Sequence, residues 1–205
     1  MWKRTTLIGA GALAVLAIST GCSSSNEPQH PAEHSSSASA TAAPTTSVAA
    51  EAHNDADVMF AQHMIPHHQQ AVEMSDMVLG KQGIDPRVTE LANQIKAAQG
   101  PEIELMQGWL TQWGAPAMPP MTGHGMPEMS GMMSDADMSG LKGAQGTDAS
   151  KMFLTQMIAH HEGAITMAQS EIKDGQYPAA IELAKAIVTA QQKEIDTMKG
   201  ILPTL

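Results

Sequence analysis

Two segments place adjacent histidines where a helix core would be expected: FAQHMIPHHQQAVEM from Phe60 and FLTQMIAHHEGAITM from Phe153. In each, the His-His pair (His67-His68, His160-His161) follows a methionine by three residues and precedes another by six. Imidazole and thioether together form a ligand set suited to copper, and thioether in particular selects Cu(I). A buried His–Glu hydrogen bond with methionine as an adaptable filler accounts for one such segment. The second adjacent histidine adds desolvation cost without improving packing, and its recurrence favours a metal. A di-iron site of the bundle type needs about four Glu and two Glu-x-x-His pairs. Only Glu102 and Glu194 stand at suitable positions here. Zinc accepts His and Glu but makes no use of thioethers.

A further cluster lies in MPPMTGHGMPEMSGMMSDADM, which holds Met118, Met121, Met126, Met129, Met132, Met133 and Met138 with His124 among them. Its Pro and Gly oppose a helix through most of the stretch. Methionines in a polar loop have no core to fill, and Met-x-x-Met spacing lets a mobile chain wrap a soft ion. A low-complexity linker or a set of oxidant-scavenging methionines is the alternative.

The elements that must position these groups follow from an internal repeat. Asp55, Ala56, Met59, Phe60, Met64, Ile65, His67, His68, Ala71 and Met74 recur at an offset of 93. ELANQIKAAQGPEIELMQGWL from Glu90 recurs at an offset of 92 as ELAKAIVTAQQKEIDTMKGIL. GKQGIDPR and KDGQYPAA between the blocks read as turns. Each unit is therefore helix, loop, helix, and two such hairpins predict an all-α four-helix bundle. The spacing of Phe60, Met64, His67, Ala71, Met74 and Val78 draws a seam on one helix face. Phe153, Met157, His160, Ala164 and Met167 do the same, as do Ala92 to Trp109 and Ala184 to Ile201. Antiparallel pairing about residues 83 and 175 sets His67 level with Gln99 and Glu102, and Met64 opposite Met106. It likewise sets His160 level with Gln191 and Glu194, and Met157 near Met198. Pro66 and Pro101 stand where the repeat has Ala159 and Lys193. They are expected to kink or break their helices and to leave the first half-site more open.

The pattern D-A-x-x-M-F-x-x-x-M-I-x-H-H-x-x-A-x-x-M followed by E-L-A-x-x-I-x-x-x-Q-x-x-E-I-x-x-M resembles the domain-of-unknown-function 305 family over about Asp55 to Leu202. The resemblance implies a ferritin-like four-helix fold. It also implies, through extracytoplasmic copper-binding members linked to copper resistance, a copper role.

The N-terminus reads as a targeting segment: Lys3 and Arg4, an apolar run from Leu7 to Ile18, then small residues before Cys22. The run is too short for an ordinary membrane span. As the sole cysteine, Cys22 forms no intramolecular disulfide. The context resembles a bacterial lipoprotein signal, with Ser19 where Leu is usual; an ordinary signal peptide with a bystander cysteine is the alternative. The organisation expected is a signal peptide at 1–21 and a disordered Ser/Ala/Pro/Thr linker at 22–52. The bundle then spans 53–205, with a Met-rich inter-hairpin loop at 115–147. His30, His34 and His53 read as exposed tail histidines.

A net charge of −10 argues against nucleic acid as a partner. The leading expectation is a lipid-anchored, extracytoplasmic Cu(I)-binding protein that sequesters the ion or passes it to a copper-transport partner protein. Its bundle ligands are Met64, His67, His68, Glu102, Met106, Met157, His160, His161, Glu194 and Met198. Its loop ligands are Met118, Met121, His124, Met126, Met129, Met132 and Met133. No catalytic nucleophile is evident. A copper or iron oxidase and a metal-free envelope interaction module are the competing classes. Judged by an unperturbed pKa of about 6.5, binding by the histidines should weaken at about pH 5 while thioether binding persists.

Overall fold

The computed structural model describes residues 52–117 and 130–205, and every regular element within them is helical. The chain forms an all-α bundle from two tandem hairpins, α1 (Asp55–Leu79) with α2 (Pro86–Trp113) and α4 (Gly146–Asp174) with α5 (Pro178–Ile201). A short α3 (Asp135–Gly143) lies between them, and a 3-10 turn at Leu202–Thr204 closes the chain. Cys22, His30, His34, Met118, Met121, His124, Met126 and Met129 lie outside the described residues. No helix among the described residues is long and apolar enough to cross a membrane.

Local chemistry sets the helix ends. Asn54 caps α1 by accepting from the amides of Ala56 (2.8 Å) and Asp57 (3.1 Å), while Asp57 returns a bond to the Asn54 amide. This reciprocal capping box satisfies donors the helix leaves free. Pro86 and Pro178 open α2 and α5, where the missing N–H costs nothing. Gly114 ends α2 at φ 65°, a left-handed cap.

The core has two apolar halves separated by a polar layer. One half joins Ala71, Met74 and Val78 of α1, Val88 to Ile95 of α2, Phe153 to Met157 of α4, and Ile195 to Ile201 of α5. The other joins Phe60 to Ile65, Met106 to Leu110, Ala164 and Ala168, and Ala180 to Ile187. Chain order across the halves makes α1 antiparallel to both α2 and α4, with α4 antiparallel to α5. The repeat is therefore expressed as a pseudo-two-fold, one hairpin inverted against the other. Fully burying a side chain such as Phe153 or Leu154 stabilises by about 1.5–3 kcal/mol. The two halves supply the bulk of the folding energy and leave the layer between them free for polar groups.

Three expectations need correction. Neither proline breaks its helix: Pro66 and Pro101 sit within continuous α1 and α2. Each removes one backbone bond, at a cost of about 3 kcal/mol, and buried seam residues on both sides hold the helix together. The stretch 115–147 is not all loop, because α3 occupies Asp135–Gly143. Its Ser134–Asp137 capping box starts the helix and Leu141 is fully buried in the core. Met133 and Met138, read with the loop methionines, are partly buried and pack against that core, and Met132 is half-buried. Met167, expected in the seam, is only partly buried, and Ala168 faces inward instead.

Candidate metal centre

The polar layer contains all four paired histidines, each at 0% exposure, with Gln99 and Gln191 also buried. Successive helical residues turn by about 100°, so each His-His pair addresses two different neighbours. The second histidine of each pair stays within its hairpin. His68 Nε2 lies 2.7 Å from Glu102 Oε2, and His161 Nε2 lies 2.7 Å from Glu194 Oε2. The first histidines instead cross the bundle, and the His67 and His160 rings meet with centroids 3.7 Å apart at 38°. The half-sites expected in separate hairpins are thus joined at one contact on the pseudo-two-fold.

The hydrogen bonds fix which ring nitrogens remain available. A carboxylate and a carbonyl only accept, so His68 and His161 donate from Nε2 to the glutamates, and His67 donates from Nε2 to the Ser130 carbonyl at 3.3 Å. In His67, His68 and His161 Nδ1 is then the nitrogen left over. Among the described residues, His67, His68 and His161 have no partner at Nδ1, and His160 has none at either nitrogen. The Gln99 amide is similarly unpartnered. A buried orphan of this kind costs on the order of 1–3 kcal/mol. Burial pushes His67 down to about 3, with the neighbouring His68 adding to it. Burial also holds His160 well below its ordinary value, with His67 as the next cause. Both rings are therefore neutral, the ligand-competent form, at any ordinary pH.

These residues fit a soft cation in part. A carboxylate on Nε2 with Nδ1 left free is the outer-sphere arrangement that orients metal-bound histidines. Glu102 and Glu194, both half-buried, are placed to hold imidazoles in position. Among the described residues, no three His, Cys, Asp or Glu side chains are grouped to hold a metal ion. A third donor at the His67–His160 contact would have to come from a thioether. Met64 and Met106 are fully buried in one core half, and Met157 and Met198 in the other. The four methionines flank the layer from both sides. The first half-site is not the more open one, since all four histidines are equally buried and Glu102 and Glu194 are 22% and 18% exposed.

The sequence reading missed two features around the layer. One is a strap at residues 130–134. Gln70 grips it by donating to the Met133 carbonyl (2.9 Å) and accepting from the Met133 amide (2.7 Å). Gly163 lets it lie directly on α4, since a Cβ there would land on the Ser130 carbonyl. The strap carries Met132 and Met133 of the methionine-rich stretch and reaches His67 through Ser130. The available signal was a break in the repeat, Gly163 standing where the first unit has Gln70. The other is Asp57, fully buried at the start of α1, which accepts from the amides of Gln176 (3.0 Å) and Tyr177 (2.9 Å) in the α4–α5 turn. Glu171 is buried beside it.

The family model for the domain of unknown function DUF305 matches residues 57–202. A DUF305 fragment from Deinococcus radiodurans is 34% identical, with a TM-score of 0.67 over 74% of this chain and 98% of its own. A DUF305 protein from Streptomyces coelicolor is 38% identical, with a TM-score of 0.66 over 73% and 93%. CopM in its Cu(II)-bound form is 31% identical, with a TM-score of 0.63 over 72% and 96%. CopM also has solved Cu(I)-bound and Ag-bound forms of similar likeness. Curated protein sequences give no match.

Proposed function

The chain belongs to the DUF305 family, and from that premise we propose that it binds copper as Cu(I) outside the cytoplasmic membrane, anchored through a lipid on Cys22. Its task is to sequester the ion or pass it to a copper-transport partner. The observation that carries the reading is the contact of His67 with His160: two neutral, fully buried imidazoles with lone pairs that no described residue satisfies. Packing alone gives no reason to build that contact at the centre of a bundle. A cation held at the ring edges by one nitrogen from each imidazole would satisfy both lone pairs, and the thioethers on either side of the layer would favour Cu(I) over Zn(II). The copper-bound forms of CopM, a structural relative of 30–31% identity, support the same chemistry. In this reading His67 and His160 are the central ligands, His68 and His161 are oriented by Glu102 and Glu194, and Met64, Met106, Met157 and Met198 supply sulfur.

The strap suggests how an ion enters. The segment carrying Met118, Met121, His124, Met126, Met129, Met132 and Met133 ends at residues pinned over His67. Thioethers on that segment would capture Cu(I) and deliver it beside the central pair. The test is an anaerobic Cu(I) titration against a chromogenic competitor. His67→Gln with His160→Gln should lose the tightest-bound ion while the circular dichroism spectrum stays helical. Unchanged stoichiometry and affinity in that variant would remove the central site.

A further inference from the structure

We propose a second soft-cation site, separate from the central layer, in the groove between the first half of α1 and the last half of α4. Its ligands are Met59, His63 and Met167, and the Glu171 carboxyl lies at its buried end. The groove has a volume of about 390 Å³, and all four residues line it. Met59 and His63 are one turn apart on α1, so they share a face. Met167 and Glu171 stand in the same relation on α4. Met59 is 54% exposed. An exposed methionine alone is ordinary, and two further observations carry the proposal.

The first is Glu171. It is 1% exposed, and among the described residues its carboxyl meets no donor from the chain, only the Asp57 carboxyl beside it. A cation in the groove would supply the counter-charge this buried carboxyl needs in order to ionise. The second is the pseudo-symmetry. An offset of 93 maps Met59 and His63 onto Met152 and Gln156, and Met167 and Glu171 onto Met74 and Val78. At that counterpart groove α3 fills the space. Leu141 is buried with Met74 and Val78, Gly140 packs on Met152, and Gln156 donates to the Asp137 carbonyl at 3.0 Å. No described residue covers the first groove in this way. At the covered groove the chain has neutral Gln and Val; at the groove that no described residue covers it has His and Glu. Two thioethers and an imidazole suit Cu(I) or Ag(I) and are poor ligands for hard divalent ions.

This inference rests on the chain being a soft-metal binder, and its test separates the two. The full chain, labelled with ¹³C-methyl methionine, is titrated anaerobically with silver nitrate and followed by methyl NMR. The Met59 and Met167 methyls should both shift, in the wild type and in the His67→Gln/His160→Gln variant. The triple variant Met59→Leu/His63→Gln/Met167→Leu should bind one fewer Ag(I) by equilibrium dialysis. If either methyl is unmoved at saturation while the Met64 or Met157 methyls beside the central layer respond, this groove is not a site and the central reading stands. If Ag(I) moves no signal of the wild type, both readings fall.

Discussion

A histidine sealed in a helical core faces a choice between neutrality and a costly buried charge, and His67 and His160 resolve it by staying neutral. His67 titrates at about 3 in the folded chain against about 6.5 when unfolded. Between those values the unfolded chain binds a proton the folded one does not, so stability falls as pH falls through that window. The metal-free protein should lose stability from about pH 6.5 downward, and His67→Gln should flatten part of the slope in urea melts at pH 7, 5 and 4. The same depression revises the pH dependence expected from free imidazole. No proton competes for His67 at about pH 5, so Cu(I) at the central pair should persist there in dialysis measurements. Loss of that copper with a midpoint near 6.5 would show that the rings are not held neutral. Glu102 and Glu194 act one bond further out. Glu102→Gln with Glu194→Gln should weaken Cu(I) binding by about 10–100-fold, the usual effect of removing such outer partners, without altering helicity.

Elements are tied to one another by groups that interrupt the repeat. Gly163 is one: Ala is normally preferred to Gly inside a helix by about 0.5–1 kcal/mol, but here a Cβ meets the strap backbone. Gly163→Ala should therefore destabilise by about 1–3 kcal/mol and speed amide exchange at residues 130–134. Gly108→Ala, which meets nothing within 4 Å on α2, should be neutral or stabilising. Opposite signs for the two variants are the expected result. Asp57 and Glu171 form another tie, between the start of α1 and the α4–α5 turn. Burial pushes the Asp57 carboxyl up, but amide bonds from Asn54 and Tyr177, the hydrogen bond with the Glu171 carboxyl and the Gln176 amide outweigh it and hold the group below its usual value. Burial and the adjacent Asp57 push Glu171 up to about 8. The folded chain then holds a proton that the unfolded chain releases above about 4.5, so this contribution to stability declines as pH rises from about 4.5 to 8. In metal-free protein, Glu171→Gln should reduce the fall in urea midpoint between pH 5 and pH 8; an unchanged fall would dissociate that carboxyl from the effect.

At the scale of the whole molecule, two apolar halves enclose one polar layer, so folding and metal binding draw on different residues. Phe153, Leu154, Ile187 and Ile195 are buried in the apolar halves, outside the polar layer. The metal-free domain should give a strongly helical circular dichroism spectrum. Copper should then raise the melting temperature through binding alone, by about 2.7 kcal/mol of stability at a free concentration a hundred times Kd. A chain that becomes helical only on adding copper would reverse this order. The pseudo-two-fold also explains why the histidines occur as pairs. An inverted repeat brings the same position of both units to the axis, so one ligand per unit suffices to make a central pair, and its neighbour is free to take the glutamate of its own hairpin.

The helices, the hairpin turns and the residues of the central layer were legible in the sequence because they depend on local chemistry. Seam spacing, Gly and Pro at the turns and the 93-residue repeat identify them with no knowledge of long-range contacts. The sequence also brought His68 and Glu102, and His161 and Glu194, to one level, since a short turn fixes hairpin register. It did not determine that His67 and His160 would meet. That depends on how one hairpin inverts against the other, and no local signal in either unit encodes that angle. The covering of one groove by α3, the strap seated on Gly163 and the burial of Glu171 were decided by tertiary packing for the same reason. Each joins residues far apart in the chain, and burial with its new neighbours turns ordinary groups into neutral imidazoles, a carboxyl set against another carboxyl and a glycine with no room for a side chain.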